Sequence, residues 1–230
     1  MEVRYSFDAV MNQLIGWGSI KSRKAAMKRG AGENQFGVGL TNIREYAKKI
    51  GKDHELAMDL WHTNNSDAMI LATIIMEVSE LSRDMLEEMI LVIHFYGLLD
   101  EFVFNVVAKS MYANELALEW MNAGNELIDR AGWDIIIAKV VFQKPMPVSY
   151  EILIDIILKN MKAALHRKQE VMNRCLCEIG IRNPKYTQQC IQVGEQLGHL
   201  VNKTVPKGCT SSYAPEWIVV GVKKRESNTN

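Results

Sequence analysis

Apolar residues recur at helical spacing along most of the chain. After Thr41, which we assign as an N-cap, four apolar side chains stand at i, i+3, i+4 and i+7 and leave the charged residues on the opposite face. Gly51 follows them and is a typical helix terminator, so the spacing predicts a helix over residues 41–50. The four apolar residues are Ile43, Tyr46, Ala47 and Ile50.

Other segments carry either the same spacing or a different propensity. Amphipathic spacing predicts helices around residues 56–61, from about residue 67 to residue 76, and around residues 152–161. Residues 135–141 and 217–221 are rich in β-branched side chains, which favour strands on propensity alone. Because packing inside a helical array overrides that preference, we predict a helix for the first of these two segments and leave the second open.

The sequence also repeats itself at two intervals. Residues 55–61 recur sixty positions later as residues 115–121, and residues 65–68 recur in the same register as residues 125–128. Residues 126–130 recur forty-four positions later as residues 170–174. Helical pairs that repeat in this way stack on their neighbours and form an α-solenoid. We therefore predict an all-α superhelix. Since equivalent positions of successive repeats face the same way, Arg130 and Arg174 are expected to project from one surface; the alternative is two unrelated, solvated arginines.

Length and composition describe an ordinary globular chain. With 230 residues, of which 48% are apolar, the chain forms one domain or two small ones, and we predict a single repeat domain over residues 1–225 with a frayed tail over residues 226–230. The first ten residues have no apolar core of a signal peptide, and no run of about 18 apolar residues is present. We expect a cytoplasmic protein without a membrane partner.

The net charge of zero conceals a segregation of charge along the chain. Residues 1–52 sum to +6, residues 53–101 to −10, residues 102–138 to −3 and residues 139–225 to +8, and Glu226 restores the balance. Basic ends around an acidic middle are compatible with positive surface patches that bind nucleic acid. The alternative is an ordinary mosaic of solvated faces.

The common motifs of metal and phosphate chemistry are missing from the sequence. No C-x-x-C pair, H-E-x-x-H arrangement, Walker loop or G-x-S-x-G elbow occurs, so we expect neither a metal nor a cofactor. The glycine-rich stretch Gly30–Gly39 does not follow a strand-like segment and is interpreted as the loop before a helix. Buried, reduced thiols are predicted for the four cysteines, which are Cys175, Cys177, Cys190 and Cys209.

Several motifs stand in a fixed order between about Gln13 and Ile218. They are residues 34–38 (NQFGV), 51–57 with 60–61, 129–133 (DRAGW), 178–180 with 182–183, and 209–218. Together they resemble the DNA alkylation repair proteins of the AlkD type, which are HEAT-like repeat DNA glycosylases. The resemblance implies a superhelix of HEAT-like repeats whose concave face holds duplex DNA. It also implies removal of positively charged purines such as N3-alkyladenine and N7-alkylguanine. Separately from the resemblance, we expect a monomer.

The reaction that this resemblance implies needs few catalytic groups. An alkylated purine already carries a positive charge and is a good leaving group, and its departure leaves an oxocarbenium-like sugar. One carboxylate at ~4 Å, in an effective dielectric near 20, stabilises that cation by about 4 kcal/mol, which is roughly a thousandfold in rate.

The resemblance also assigns roles to four positions. It places Asp100 at the family's catalytic aspartate and Arg130 at its phosphate-binding arginine. Tyr96 and Arg174 stand where the family has two tryptophans, whose indole faces attract the cationic base. Tyr96 partly replaces one aromatic wall, whereas Arg174 places a positive charge where the cationic base approaches. The alternative for Asp100 is an exposed carboxylate beside Glu101 in the acidic middle segment.

Two functions from different classes follow. In the first, the protein is a glycosylase in which Asp100 stabilises the transition state while Arg130 and Arg174 bind phosphates. In the second, it is a catalytically silent HEAT-like module that binds nucleic acid or a protein partner through its concave face. A further basic group either binds DNA or only solubilises a helix: Arg23, Lys24, Lys28 and Arg29.

Overall fold

The computed structural model describes residues 5–200 and 212–227. Within these ranges the chain is all-helical, without a strand, which confirms the predicted all-α class. None of these helices combines the length and the apolar character that crossing a bilayer requires. The helices are α1 (Phe7–Gly16), α2 (Ile20–Met27), α3 (Leu40–Ile50), α4 (His54–His62), α5 (Ser66–Ile75), α6 (Arg83–Leu91), α7 (Tyr96–Asn105), α8 (Ala113–Trp120), α9 (Glu126–Val141), α10 (Tyr150–Asn160), α11 (His166–Arg182), α12 (Pro184–Leu197) and α13 (Ala214–Ser227).

Helix α3 confirms the predicted helix but begins earlier than the sequence suggests. Gly39, not Thr41, is the N-cap: its backbone is extended and its carbonyl accepts a hydrogen bond from the N–H of Ile43. Thr41 lies inside the first turn, so its prediction as the N-cap is wrong. The position of a hydroxyl residue indicates the start of a helix less reliably than the backbone geometry of the preceding loop does. The end at Gly51 is confirmed, with a φ of 77° that suits glycine.

The two β-branched segments are both helical. Residues 135–141 form the end of α9, as predicted, and residues 217–221 lie within α13, which settles the segment that was left open. Ile135 and Ile218 are fully buried, which shows why packing decides the conformation. Burial of a β-branched side chain stabilises the folded state by more free energy than the low helix propensity of that residue costs.

The sixty-residue repeat has a structural counterpart in two asparagine caps. Asn65 is the N-cap of α5 and Asn125 is the N-cap of α9. Each side-chain oxygen accepts hydrogen bonds from the backbone N–H groups two and three residues later. The same residue type therefore starts the second helix of each repeated segment.

The chain divides into two compact units, Met1–Ala113 and Asn114–Asn230. In the first unit α5 packs against α3, α4 and α7, and in the second α11 packs against α9, α10, α12 and α13. Alternate helices are therefore neighbours, α5 with α3 and α7, and α11 with α9 and α13, as expected for stacked helical pairs. One domain over residues 1–225 stays a prediction. Of the predicted tail, residues 228–230 lie outside the described residues.

The buried thiols are confirmed for three of the four cysteines. Cys175, Cys177 and Cys190 are free and fully buried, whereas Cys209 lies outside the described residues. Burial raises the pKa of the Cys190 thiol to about 12 and raises the pKa of the Cys175 thiol well above its usual range. These side chains act as small apolar core residues.

The glycine-rich stretch is a loop before α3, as predicted. Its backbone N–H groups at Phe36 and Gly37 donate to one carboxylate oxygen of Asp67, at 2.7 and 2.8 Å. The anion that these amides bind is therefore a side chain of the protein itself, which fits the interpretation of the stretch as a structural loop.

Gly132 provides a test of the packing in the second unit. An added Cβ would stand 2.6 Å from the carbonyl carbon of Trp120 and closer still to the backbone nitrogen of Met121. Because backbone cannot yield as a flexible side chain does, we expect Gly132→Ala to lower the free energy of unfolding by about 2 kcal/mol or more. Urea unfolding measures this change.

Gly16→Ala is the matched control, because among the described residues no atom lies within 4 Å of the Cβ that it would add. At this last position of α1 the free energy of unfolding should change by less than about 1 kcal/mol. Equal effects of the two substitutions would contradict a close approach at Gly132.

Candidate nucleic-acid interface

Tyr96 and Asp100 lie on α7, in the first unit. Tyr96 is the first residue of this helix and Asp100 stands four residues later, so the two side chains share one face. Both are half-buried. Asp100 is therefore half-buried rather than fully exposed, and its role in catalysis stays a prediction.

A polar network beside Asp100 fixes the rotation of α7. The carboxylate of Glu101 accepts a hydrogen bond from the guanidinium of Arg44 at 2.6 Å and another from the side-chain amide of Asn105 at 3.0 Å. Asn105 also donates to the hydroxyl of Thr73 on α5, at 3.2 Å. Glu101 thus joins α7 to α3, and the direction in which Asp100 points depends on this joint.

Arg130 and Arg174 come together in the second unit, on the packed helices α9 and α11. The Nε of Arg130 lies 3.4 Å from Oδ2 of Asp134, and an Nη of Arg174 lies 3.8 Å from Oδ1 of the same carboxylate. Asp134 is completely buried. A buried carboxylate is stable only when cations or donors surround it, so Asp134 holds both arginines in place.

A second carboxylate extends this group. Oε2 of Glu170, on α11, lies 4.0 Å from an Nη of Arg130 and 3.2 Å from an Nη of Arg167. We call Arg130, Asp134, Glu170 and Arg174 the Asp134 cluster. The side chain of Arg174 is 32% exposed whereas that of Arg130 is 11% exposed, so Arg174 presents more of the cluster's positive charge to solvent.

Three residues of the DRAGW motif, Asp129, Arg130 and Gly132, have a structural role. The carboxylate of Asp129 accepts from the ammonium of Lys168 on α11, at 2.8 Å, and from the N–H of Gly124, at 3.0 Å. Arg130 enters the Asp134 cluster, and Gly132 admits the backbone that follows α8. The motif therefore connects α9 to α11 and to the backbone that follows α8.

The structure thus brings the predicted residues together in two pairs. Tyr96 and Asp100 share a face of α7 in the first unit, and Arg130 and Arg174 share a carboxylate in the second. Their roles toward DNA stay predictions. In the parts of the chain that the structure describes, no three His, Cys, Asp or Glu side chains form a group suited to a metal ion.

Sequence reasoning missed Asp134 as the residue that organises the arginines. Two signals pointed to it: it stands four residues after Arg130, which is the spacing of a helical ion pair, and it interrupts an apolar run with a charge. Of the motif at residues 209–218, residues 209–211 lie outside the described ranges, and the carbonyl of Ser212 accepts a hydrogen bond from the side-chain amide of Asn173 on α11 at 3.0 Å.

Comparison with known proteins finds a matching family and a similar solved structure. The chain matches the model of a family described as "DNA alkylation repair enzyme" over residues 10–218. It is also similar to a solved structure described as "A new family of proteins related to the HEAT-like repeat DNA glycosylases with affinity for branched DNA structures". That similarity has a TM-score of 0.85 and 25% sequence identity, and it covers 96% of this chain and 95% of the other. No curated protein matches the chain.

A double-mutant cycle tests the Asp134 cluster. Asp134→Leu alone leaves the buried guanidinium of Arg130 with the more distant carboxylate of Glu170, and should lower the free energy of unfolding by about 3 kcal/mol. Arg130→Met with Asp134→Leu should lose clearly less than the sum of the single changes, with a coupling of at least about 1 kcal/mol in urea unfolding.

The same cycle on Lys159 and Asp155 serves as the control, because this pair on α10 has the same i, i+4 spacing but is largely exposed. Its coupling should stay below about 0.5 kcal/mol. Additive effects at Arg130 and Asp134 would show that the two side chains do not depend on each other.

Proposed function

The chain belongs to the DNA alkylation repair enzyme family, and we propose that it hydrolyses the N-glycosidic bond of cationic N3- and N7-alkylated purines in duplex DNA. One observation carries this proposal: a half-buried carboxylate, Asp100, stands one helical turn after an aromatic side chain, Tyr96, on the face of α7 where the family resemblance places the catalytic aspartate.

The proposed reaction needs no metal and little acid catalysis. The bond between the sugar C1′ and the purine nitrogen breaks, and its electron pair neutralises the positive charge of the base. The sugar becomes an oxocarbenium-like cation, which Asp100 stabilises until a water molecule adds to C1′ and loses a proton. Because Asp100 is half-buried, its charge is screened less than in bulk water, and about 4 kcal/mol of stabilisation is a reasonable scale.

Tyr96 and the two arginines have complementary roles in this proposal. The ring of Tyr96 attracts the cationic base, with a weaker cation–π interaction than a tryptophan provides. A guanidinium is suited to phosphate rather than to a cationic base, so Arg174 and Arg130 contact the DNA backbone. The ion pairs with Asp134 support this role, because they hold both arginines in one orientation before DNA arrives.

The second candidate function is DNA binding without base removal. The observation that favours it is Arg174 itself, because a cation at a family tryptophan position repels the cationic purine that a glycosylase must hold. The solved structure similar to this chain is described as having affinity for branched DNA structures. In this case the chain recognises distorted or branched DNA through its backbone phosphates.

We further infer that the protein works as a monomer in the cytoplasm, with alkylated or distorted duplex DNA as its partner and without a cofactor. Sedimentation of the purified protein at micromolar concentration, alone and with duplex, measures the number of chains in the complex.

Replacement of Asp100 tests the first function. Asp100→Asn removes the negative charge with little change of shape, so release of N3-methyladenine and N7-methylguanine from methylated DNA should fall by a factor on the order of a thousand. Chromatography of the released bases measures the rate, and thermal unfolding checks the fold.

Glu88→Gln is the matched control, since this acid is exposed on the neighbouring helix α6 and its loss should leave base release unchanged. Wild-type protein that releases neither base would rule out the glycosylase and leave the binding function.

Replacement of the arginines tests the DNA contact that both functions share. Arg130→Ala and Arg174→Ala should each weaken duplex binding and lower the slope of log Kobs against log salt by about 1, because each removes one phosphate contact. Fluorescence anisotropy with linear and branched duplexes measures both quantities.

Lys159→Ala serves as the control, because this exposed lysine is already paired with Asp155. Arg174, which is one-third exposed, keeps the test valid if Arg130→Ala unfolds the protein. An unchanged salt slope for folded Arg174→Ala would exclude this side chain from the interface.

A further inference from the structure

Helix α2 lies wholly within the described part of the chain and contains no buried residue. Lys21, Lys24 and Lys28, the last being its C-cap, are all exposed. At i, i+3 and i+7 these three lysines project from one face of the helix. Two apolar residues border that face, Ile20 at 76% and Met27 at 41% exposure. We call Lys21, Lys24 and Lys28 the α2 lysine face.

The three lysines repel one another along α2. Like charges three and four residues apart repel, which applies to Lys21 with Lys24 and to Lys24 with Lys28. Lys21 stands in the first turn, where the helix dipole disfavours a cation, whereas Lys24 in the last turn and Lys28 at the C-cap lie where the dipole favours one. The dipole therefore does not account for all three lysines, and since α2 contains no buried residue, core packing does not account for them either.

Hydrogen bonds and a close backbone approach connect α2 to the loop that follows it. Arg23, which is half-buried, donates to the carbonyl oxygen of Glu33 at 2.9 Å and to the carboxylate of Glu33 at 2.7 Å. Gly37, with a φ of +80°, packs against the first turn so closely that an added Cβ would stand 2.6 Å from the nitrogen of Arg23. The N–H of Ser19 donates to the carbonyl of Phe36.

The loop that contacts α2 is hydrogen-bonded to the start of α5 and to the residues just before it. The buried carboxylate of Asp67 accepts the N–H groups of Phe36 and Gly37. The side chain of Asn34 donates to the carbonyl of Thr63 at 3.0 Å and accepts from the amide of Asn65 at 3.0 Å. A continuous series of hydrogen bonds therefore connects α5, the NQFGV loop and α2, and the lysine face is presented on a fixed helix.

We propose that the α2 lysine face binds the phosphate backbone of duplex DNA. Eight residues of helix extend about 12 Å, and a duplex carries one charge for about every 1.7 Å of its axis, so three lysines along α2 meet several phosphates at once. The interaction is independent of sequence and adds to the contacts of Arg130 and Arg174. It rests on the proposed DNA partner but not on base removal.

The chemistry of α2 favours DNA over a lipid surface, although both are anionic. Helices that lie on membranes bury a wide apolar face beneath their basic residues. Here Ile20 and Met27 are the two large apolar residues in this short helix, and the lysines occupy the centre of its outward surface. Lysine acts as a mobile point charge, which suits contacts with phosphates of any sequence.

A triple replacement tests the lysine face. Lys21→Gln, Lys24→Gln and Lys28→Gln together remove three charges from exposed residues. The thermal unfolding temperature should stay close to that of wild type, because the lost repulsion and the lost interaction with the helix dipole oppose each other. The slope of log Kobs against log salt for unmodified duplex should fall by about 2–3, and low-salt affinity should fall at least about tenfold. Fluorescence anisotropy over a series of salt concentrations measures both.

The control triple removes the same net charge from lysines that are exposed but already paired with acids. Lys48, Lys159 and Lys185 pair with Glu45, Asp155 and Glu151, and their replacement by Gln should leave the slope within about 0.5 of wild type. Equal slopes for wild type and the α2 triple variant would overturn the proposal while leaving DNA binding intact.

Other outcomes separate this proposal from the proposed function. Wild-type protein that binds no duplex at low salt would overturn both. Protein that binds duplex without releasing a base would overturn the glycosylase alone. Vesicles of phosphatidylserine and phosphatidylcholine form the last arm: loss of vesicle binding in the α2 triple variant, with unchanged duplex binding, would assign the face to lipid instead.

Discussion

The second unit depends on a buried carboxylate that lies between two arginines. Asp134 has no exposed surface, and a carboxylate in that position is compatible with folding only if positive charge accompanies it. Arg130 comes from the same helix and Arg174 from the next long helix, so the need to neutralise one charge also joins α9 to α11. Asp134 thereby couples the interior of this unit to Arg130, for which the family resemblance implies a phosphate contact, and to Arg174, which stands at a family tryptophan position.

The first unit uses buried or half-buried carboxylates in a similar way. Asp67 binds two backbone amides of the loop before α3, and Glu101 binds Arg44 and thereby joins α7 to α3. In each case an acid satisfies donors from a segment that is distant in sequence. The acidic middle of the chain is therefore partly structural: some of its charge lies inside, where it positions loops and helices, and does not form a solvated face.

Periodicity predicted α3, α4, α5 and α10, because amphipathic spacing is a local property of the sequence. The start of α3 was placed wrongly because Gly39 caps this helix through its backbone alone. The hydroxyl of Thr41 therefore carried no information about where the helix begins. The site was harder to predict. Tyr96 and Asp100 were found by resemblance, but the degree of burial of Asp100 depends on how α7 packs on α5. The role of Asp134 requires two helices that are forty residues apart, and a single sequence gives no direct signal of such contacts.

Helix α2 has a consequence for how proteins of this kind diverge. Because its outward side chains contribute nothing to the core, most substitutions at Lys21, Lys24 or Lys28 escape the selection that folding imposes on buried positions. Arg130 has no such freedom, since any change there also disturbs Asp134. Through the surface charge of α2, the strength of binding to a partner can therefore change while the fold and the arginine positions remain constant.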